Sequence, residues 1–412
     1  MNPMQTPPAT STRPRLSHLS GTRRRAHGWL AAALAPALAP VALGASGVAT
    51  TASADDGGAG GATVYTMTNS TTANAAAAFR SGRDGALTPA GTFPTGGAGT
   101  GAGLGNQGAL ALSRQGRWLL VVNAGSNELS LFRVPDGPRE GGLILADRVP
   151  SGGPTPVSVT VHRDLVYVAN DGANGAPANI TAFTINRRGK LTPLPDSTRP
   201  LSTMAPDVAQ VQFSPDGERL VVTEKATNTL STYVVDEDGL ARGPLTHPSS
   251  GPTPFGFAFD PRRRDRLYVS EAFPGVPNGS AASAYEIDDD GRLTLLQGSV
   301  PTRQTAACWL VVSPDGRFAY AANAGSNSVT GFRIGPDGRL TRLNEDGVTA
   351  SGGAGSGALD LAIDRRGRFL YVLFPGADRI GAYAIGRDGS LTPAPGGPGP
   401  GTPDGANGLV AR

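Results

Sequence analysis

The sequence predicts an all-β fold, a seven-bladed β-propeller with four antiparallel strands per blade, and three observations carry that prediction. The first is a repeat: apolar runs ending at residues 69, 123, 170, 224, 271, 323 and 374 recur at steps of 54, 47, 54, 47, 52 and 51. Seven units of about fifty residues are the signature of a ring of blades. The second is the content of each unit. Every run is followed by another apolar stretch with one aromatic, at Phe79, Phe132, Phe183, Tyr233, Tyr285, Phe332 and Tyr383. A polar turn and a Leu-Thr-like strand usually come next, as in Asp337-Gly338-Arg339-Leu340-Thr341. The third lies at the chain ends. The unit starting at Val64 lacks its first strand, and Gly405 to Arg412 reads like Gly108 to Arg114. The C-terminal strand is therefore expected to join the first blade, which removes the open edges a ring would otherwise leave.

The elements follow from the repeat in order. Val64–Asn69, Trp118–Asn123, Leu165–Asn170, Leu220–Glu224, Leu267–Glu271, Phe318–Asn323 and Phe369–Phe374 are the second strands of their blades. Turns such as Ser214-Pro215-Asp216-Gly217 and Ser313-Pro314-Asp315-Gly316 separate them from the first strands. Gly 58 and Pro 35 fall mostly in such turns, where tight β connections use them. Residues 95 to 105 and 394 to 404 are low in complexity and read as surface loops.

Residues 1–54 have the form of a signal peptide, 55–62 a linker, and 63–412 the propeller. The basic run Arg23-Arg24-Arg25 precedes an apolar stretch from Trp29 to Val48, and Ala52-Ser53-Ala54 has the small-x-small form of a cleavage site. The chain is thus expected to be secreted after cleavage near Ala54, by the general route or, given Thr22-Arg23-Arg24-Arg25, by twin-arginine export. The Ala, Gly and Pro between 31 and 48 argue against a retained anchor, so no stable membrane insertion is expected. The net charge of +3 comes from this segment, whose five arginines leave 31 basic against 33 acidic residues once removed. A basic face with interleaved aromatics is lacking, which excludes nucleic acid as the expected partner. Cys308, the single cysteine, lies in an apolar strand and reads as a buried, inert thiol. Only His162 and His247 follow the signal, so neither a metal centre nor a cofactor is expected. The molecule is expected to be a monomer.

Candidate site residues follow from the phase of the repeat. The end of each second strand lies on the same face as the loop leading into the first, and together these surround one mouth of the channel, the default place for a ligand. Asn106, Asn123, Asn170, Asp207, Glu224, Lys225 and Asn323 are the candidate ligand-binding residues there. Glu271 and Arg303 are the candidate catalytic pair. A structural reading stands beside each: Asn at a strand end caps turns, and a carboxylate near a narrow channel can neutralise Lys225 or Arg303.

The phrases Asn106-Gln107-Gly108-Ala109-Leu110-Ala111-Leu112-Ser113, Gly251-Pro252-Thr253-Pro254-Phe255 and Ser313-Pro314-Asp315-Gly316-Arg317-Phe318 resemble the seven-bladed lactonase family, which includes 6-phosphogluconolactonases and carboxymuconate cyclases. The resemblance covers about residues 63 to 412; the Ser-Pro-Asp-Gly turn is also similar to YVTN-type propeller repeats. It implies histidine, arginine and glutamate at one channel mouth. Most of that set is missing: Pro206-Asp207-Val208-Ala209-Gln210 has no histidine, Gly251-Pro252-Thr253-Pro254 stands for a Gly-Pro-Arg-His phrase, and Asn323-Ala324-Gly325 for Asn-Arg-Gly. Glu271 alone fits. Two readings follow: a secreted scaffold that binds a lactone, a sugar-like molecule or a cell-surface ligand at the mouth, or a lactone hydrolase of altered substrate that uses Glu271 as base and Arg303 as an anion contact.

Overall fold

The blades form because the apolar runs can be covered on both sides only by neighbouring sheets. A computed structural model describes residues 61–136, 142–395, 399 and 401–412, which lie in one compact unit. Residues 1–54, where a signal peptide is expected, and residues 55–60 of the expected linker lie outside the described residues. Seven antiparallel sheets follow one another along the chain. Their second strands are buried almost throughout, as in Trp118–Asn123, Arg219–Glu224 and Phe369–Phe374. The outermost strands, such as Leu87–Pro94, are largely exposed. Two positions depart from the regular plan of four: the outer strand is split into Leu191–Pro193 and Arg199–Pro200 in the third blade, and into Leu340–Arg342 and Ala350–Ser351 in the sixth.

Closure takes the expected form. Asn407–Ala411 pairs antiparallel with Thr63–Met67, with Val64 opposite Ala411 and Tyr65 opposite Val410. The first blade is thus made from both ends of the propeller. Asp360, in the seventh blade, accepts a hydrogen bond from Leu409 N at 2.9 Å and fastens the closing strand to its other neighbour.

Neighbouring blades are joined by a recurring device. Second-strand tyrosines reach over the next blade: Tyr167 Oη donates to Gly239 O at 2.9 Å, Tyr320 Oη to Gly389 O at 2.9 Å, and Tyr371 Oη bonds Ser81 Oγ at 2.8 Å. All three rings are fully buried, and burial of each such side chain contributes about 1.5–3 kcal/mol. The approach is close enough to dictate glycine. A Cβ at Gly389, where φ is +92°, would lie 2.5 Å from the Phe318 ring.

Innermost strands face an unusual problem, since their inward edges carry unpaired backbone groups. Side chains of adjacent blades supply partners. Ser158 Oγ accepts from Val211 N, Gln210 brackets Phe257 by donating to its O at 2.9 Å and accepting from its N at 2.7 Å, and Ser270 Oγ donates to Cys308 O at 3.0 Å. The same logic builds the centre of the ring.

Candidate functional site

The loops leading into the innermost strands and the ends of the second strands do share one face, as pairings of Pro156 with Asn170, Val208 with Glu224, Pro254 with Glu271 and Ala307 with Asn323 demonstrate. Radially, however, these residues divide into two groups. Asn123, Asn170, Glu224, Glu271 and Asn323 are wholly buried and turn outward into their own blades.

Glu271 illustrates the first group. One carboxylate oxygen accepts from Gly251 N at 2.9 Å and Ser283 Oγ at 2.5 Å; the other accepts from Ser299 Oγ at 2.7 Å. Ser283 is on the third strand and Ser299 on the fourth, so the carboxylate faces away from the channel axis. Desolvation raises its pKa above the usual value, and the three hydrogen bonds pull it back down. Glu224 repeats the pattern one blade earlier, accepting from Ser202 N at 3.2 Å, Ser202 Oγ, Thr227 Oγ1 and Ser231 Oγ. Asn123 Nδ2 donates to Ser130 Oγ while its Oδ1 accepts from Thr95 Oγ1 and Asn74 Nδ2. Asn170 bonds Ser151 O and Asn179, and Asn323 bonds Ser328 and Thr330. Each fastens its second strand to the third strand behind it, and Asn123, Asn170, Glu224 and Glu271 also hold the connection from the preceding blade. Arg303 does not meet Glu271: its guanidinium donates to Glu345 O at 3.1 Å, in the loop between the two pieces of the sixth blade's outer strand.

Asn106, Asp207 and Lys225 form the second group, and the structure brings them together over the channel. Lys225 Nζ pairs with Asp207 at 2.9 Å, donates to Gly105 O, and lies 5.1 Å above the Phe255 ring. Asn106 Nδ2 donates to Val157 O, and Asn106 O accepts from Trp309 Nε1 at 2.8 Å. The residue after it is the one that sequence reasoning missed. Gln107 N donates to Ala209 O at 2.9 Å, and its side chain crosses the axis to bracket Leu310, donating to O at 2.9 Å and accepting from N at 3.0 Å. One residue thereby ties the second blade to the fourth and sixth. Asn106, Gln107, Phe255 and Trp309 are all buried, the two aromatic rings lying 5.1 Å apart. The mouth on this face is filled by the chain's own residues. A hint existed in the polar pair Asn106-Gln107 between Gly105 and Gly108, but not the distance it spans.

Below this plug the channel opens as a chamber of about 550 Å³ whose ceiling includes Gln107 and Asp360 and whose lower end is bordered by Arg114, His162 and Pro215. Its opening lies where the innermost strands exit, on the face opposite the filled mouth. Burial of Asp360 raises its pKa to about 7, against the pull of hydrogen bonds from Leu361 N and Leu409 N. Cys308 is buried, and desolvation pushes its thiol up to about 12, so thiolate chemistry has no foothold there. Among the described residues no group of three or more His, Cys, Asp or Glu is placed to hold a metal.

A ring of seven four-stranded blades, closed by its last strand around a narrow channel, defines the class. The sequence matches the family described as "Lactonase, 7-bladed beta-propeller" over residues 61–204 and 262–397, and the chain belongs to that family. Among solved structures it is similar to the periplasmic gluconolactonase of Pseudomonas aeruginosa, with a TM-score of 0.63 and 19% identity over 84% of this chain and 98% of that one. It is also similar to a provisionally assigned 6-phosphogluconolactonase of Bacteroides fragilis, with a TM-score of 0.65 and 19% identity over 85% and 98%. A Lactobacillus plantarum protein gives a TM-score of 0.65 and 20% identity over 86% and 100%. At these identities the likeness concerns the fold. No curated protein matches the chain.

Proposed function

We propose that this protein is an exported lactonase-family propeller that acts as a ligand-binding scaffold and does not hydrolyse lactones. The observation that carries this reading is the state of Glu271. A general base needs a free lone pair within reach of water or substrate. Glu271 is fully buried, and its oxygens already accept from Gly251 N, Ser283 Oγ and Ser299 Oγ. The missing histidine and arginines of the family phrases point the same way, as does the filling of the mouth by Gln107 and Lys225.

The test is a panel of aldonolactones and muconolactones assayed by proton release with the purified protein and with Glu271→Gln. The expected result is no turnover above the uncatalysed rate for either. Hydrolysis by the wild type that disappears in a folded Glu271→Gln variant would overturn the proposal and restore the hydrolase reading. Mass spectrometry of culture supernatant checks the exported state, with a mature N-terminus expected within a few residues of Asp55.

A further inference from the structure

We infer that the lower chamber, on the face opposite the filled mouth, is a binding site for a hydroxylated organic anion, a sugar carboxylate or sugar phosphate. The inference rests on the reading of this chain as a binding propeller and gives that propeller its site.

The first support is shape. The chamber of about 550 Å³ adjoins a groove of about 900 Å³ bordered by the second, third and fourth blades, the two sharing Arg114, Val161, His162 and Pro215. Gln107 closes the inner end, so a ligand enters and leaves from one side. Sites of this size hold small molecules with most of their surface buried.

The second is unused hydrogen-bonding capacity. His162 Nε2 and Gln212 Oε1 are buried atoms of the chamber wall without a partner among the described residues. Buried polar atoms without partners are rare and each costs about 1–3 kcal/mol. Neither atom meets solvent in this conformation, and rotation of either side chain would turn it toward a ligand hydroxyl in the chamber. Packing beside Phe213, with ring centroids 6.0 Å apart, positions the His162 ring. The rest of the wall mixes Leu112, Val159 and Val311 with Thr160 and Gln210, a lining suited to a molecule with both C–H and O–H faces.

The third is charge. Arg114, Arg117, Arg163 and Arg187 border the groove, are exposed, and make no ion pair among the described residues. The acids facing them are Asp164, Asp216 and Glu218. Asp216 is already held by Arg219 at 2.5 Å, and Glu218 lies 3.9 Å from the same guanidinium. Four uncommitted cations stand against Asp164 at the groove and Asp360 in the chamber ceiling, whose buried carboxyl already accepts from Leu361 N and Leu409 N; this balance favours an anion, and planar guanidinium groups suit carboxylate and phosphate alike. A neutral sugar would leave this charge unused. A simple inorganic anion would leave the chamber empty.

Calorimetric titration of the purified protein with D-gluconate, D-glucose 6-phosphate, D-glucose and inorganic phosphate tests the assignment. At least one of the first two is expected to bind with Kd below about 1 mM, and D-glucose and phosphate at least about tenfold more weakly. Whichever of the two binds more tightly identifies the anionic group. Arg114→Ala and His162→Ala should each weaken that binding by about tenfold or more, while Arg303→Ala, on the other face, leaves it unchanged. Should either substitution unfold the protein, Arg163→Ala and Gln212→Ala carry the same expectation. Failure of both sugar acids to bind, equal binding of D-glucose or phosphate, or wild-type affinity in the Arg114 and His162 variants would overturn the inference. Lactone turnover would refute the proposed function and leave this binding result standing, so the two failures are distinguishable.

Discussion

Replacing Glu271 separates a fastener from a catalyst. In Glu271→Ala, Gly251 N, Ser283 Oγ and Ser299 Oγ lose their acceptor. Gly251 N and Ser283 Oγ are buried bonds, and each buried donor left unpaired costs about 1–3 kcal/mol. Removal of a desolvated carboxylate offsets part of this, leaving a net loss of about 3 kcal/mol. A propeller of about 350 residues has an unfolding entropy near 0.7 kcal/mol/K, so its Tm should fall by about 4 °C. Glu271→Gln keeps the shape and one acceptor and should lose about 1 kcal/mol near pH 7. The pH dependence adds a second signature. Burial raises the carboxyl's folded pKa, so its contribution is fullest below the unfolded value of 4.5 and declines as pH rises through the folded one. Wild type should therefore lose stability relative to Glu271→Gln as pH climbs from 4 to 7. Urea denaturation followed by circular dichroism measures both. Unchanged stability in Glu271→Ala, together with loss of a measurable hydrolytic activity, would refute the reasoning.

Two further predictions concern the seam where the ring closes. Asp360, with its pKa raised to about 7 from 3.8, is stabilising at low pH and loses that contribution as pH rises through the folded value. Between pH 4.5 and 7.5 the wild type should lose about 3 kcal/mol relative to Asp360→Asn, and parallel stability curves would contradict this. Deleting residues 405–412 removes the strand beside Thr63–Met67 and exposes its edge, so the variant should melt lower and associate on size-exclusion chromatography. A monomeric deletion variant with wild-type Tm would overturn that expectation.

The repeat made most of the fold legible because a propeller is nearly one-dimensional: each unit contacts its neighbours in the same way, so period fixes blade number and phase fixes the face of the ring. The pairing of Tyr65 with Val410 follows from the same reasoning, since a blade missing its first strand at one end needs it from the other. Radial direction was not legible. Glu224 and Glu271 share the face assigned to them, but a side chain at a strand end can turn toward the axis or back into its blade, and serines 12 and 28 residues further on decide which for Glu271. Lys225 and Asp207, assigned to the mouth by the same phase, do meet over the channel, at 2.9 Å. Gln107 escaped notice because its partner, Leu310, is 203 residues away and four blades round the ring. No local pattern encodes that reach. The opposite chamber was hidden for a related reason: Arg114, His162 and Gln212 belong to different blades, and only closure of the ring brings them to one cavity.

The sealed mouth is the centre of the account, and hydrogen exchange read by mass spectrometry tests it most directly. Peptides spanning 104–108 and 306–312 contain the amides of Gln107 and Leu310, bonded to Ala209 O and Gln107 Oε1. Both should exchange as slowly as the second strands, and Gln107→Ala should speed exchange at Leu310 by about tenfold or more, the effect of losing about 1.4 kcal/mol of local protection. Exchange of these amides within seconds in the wild type would mean that the mouth stands open and that the plug does not exist in solution.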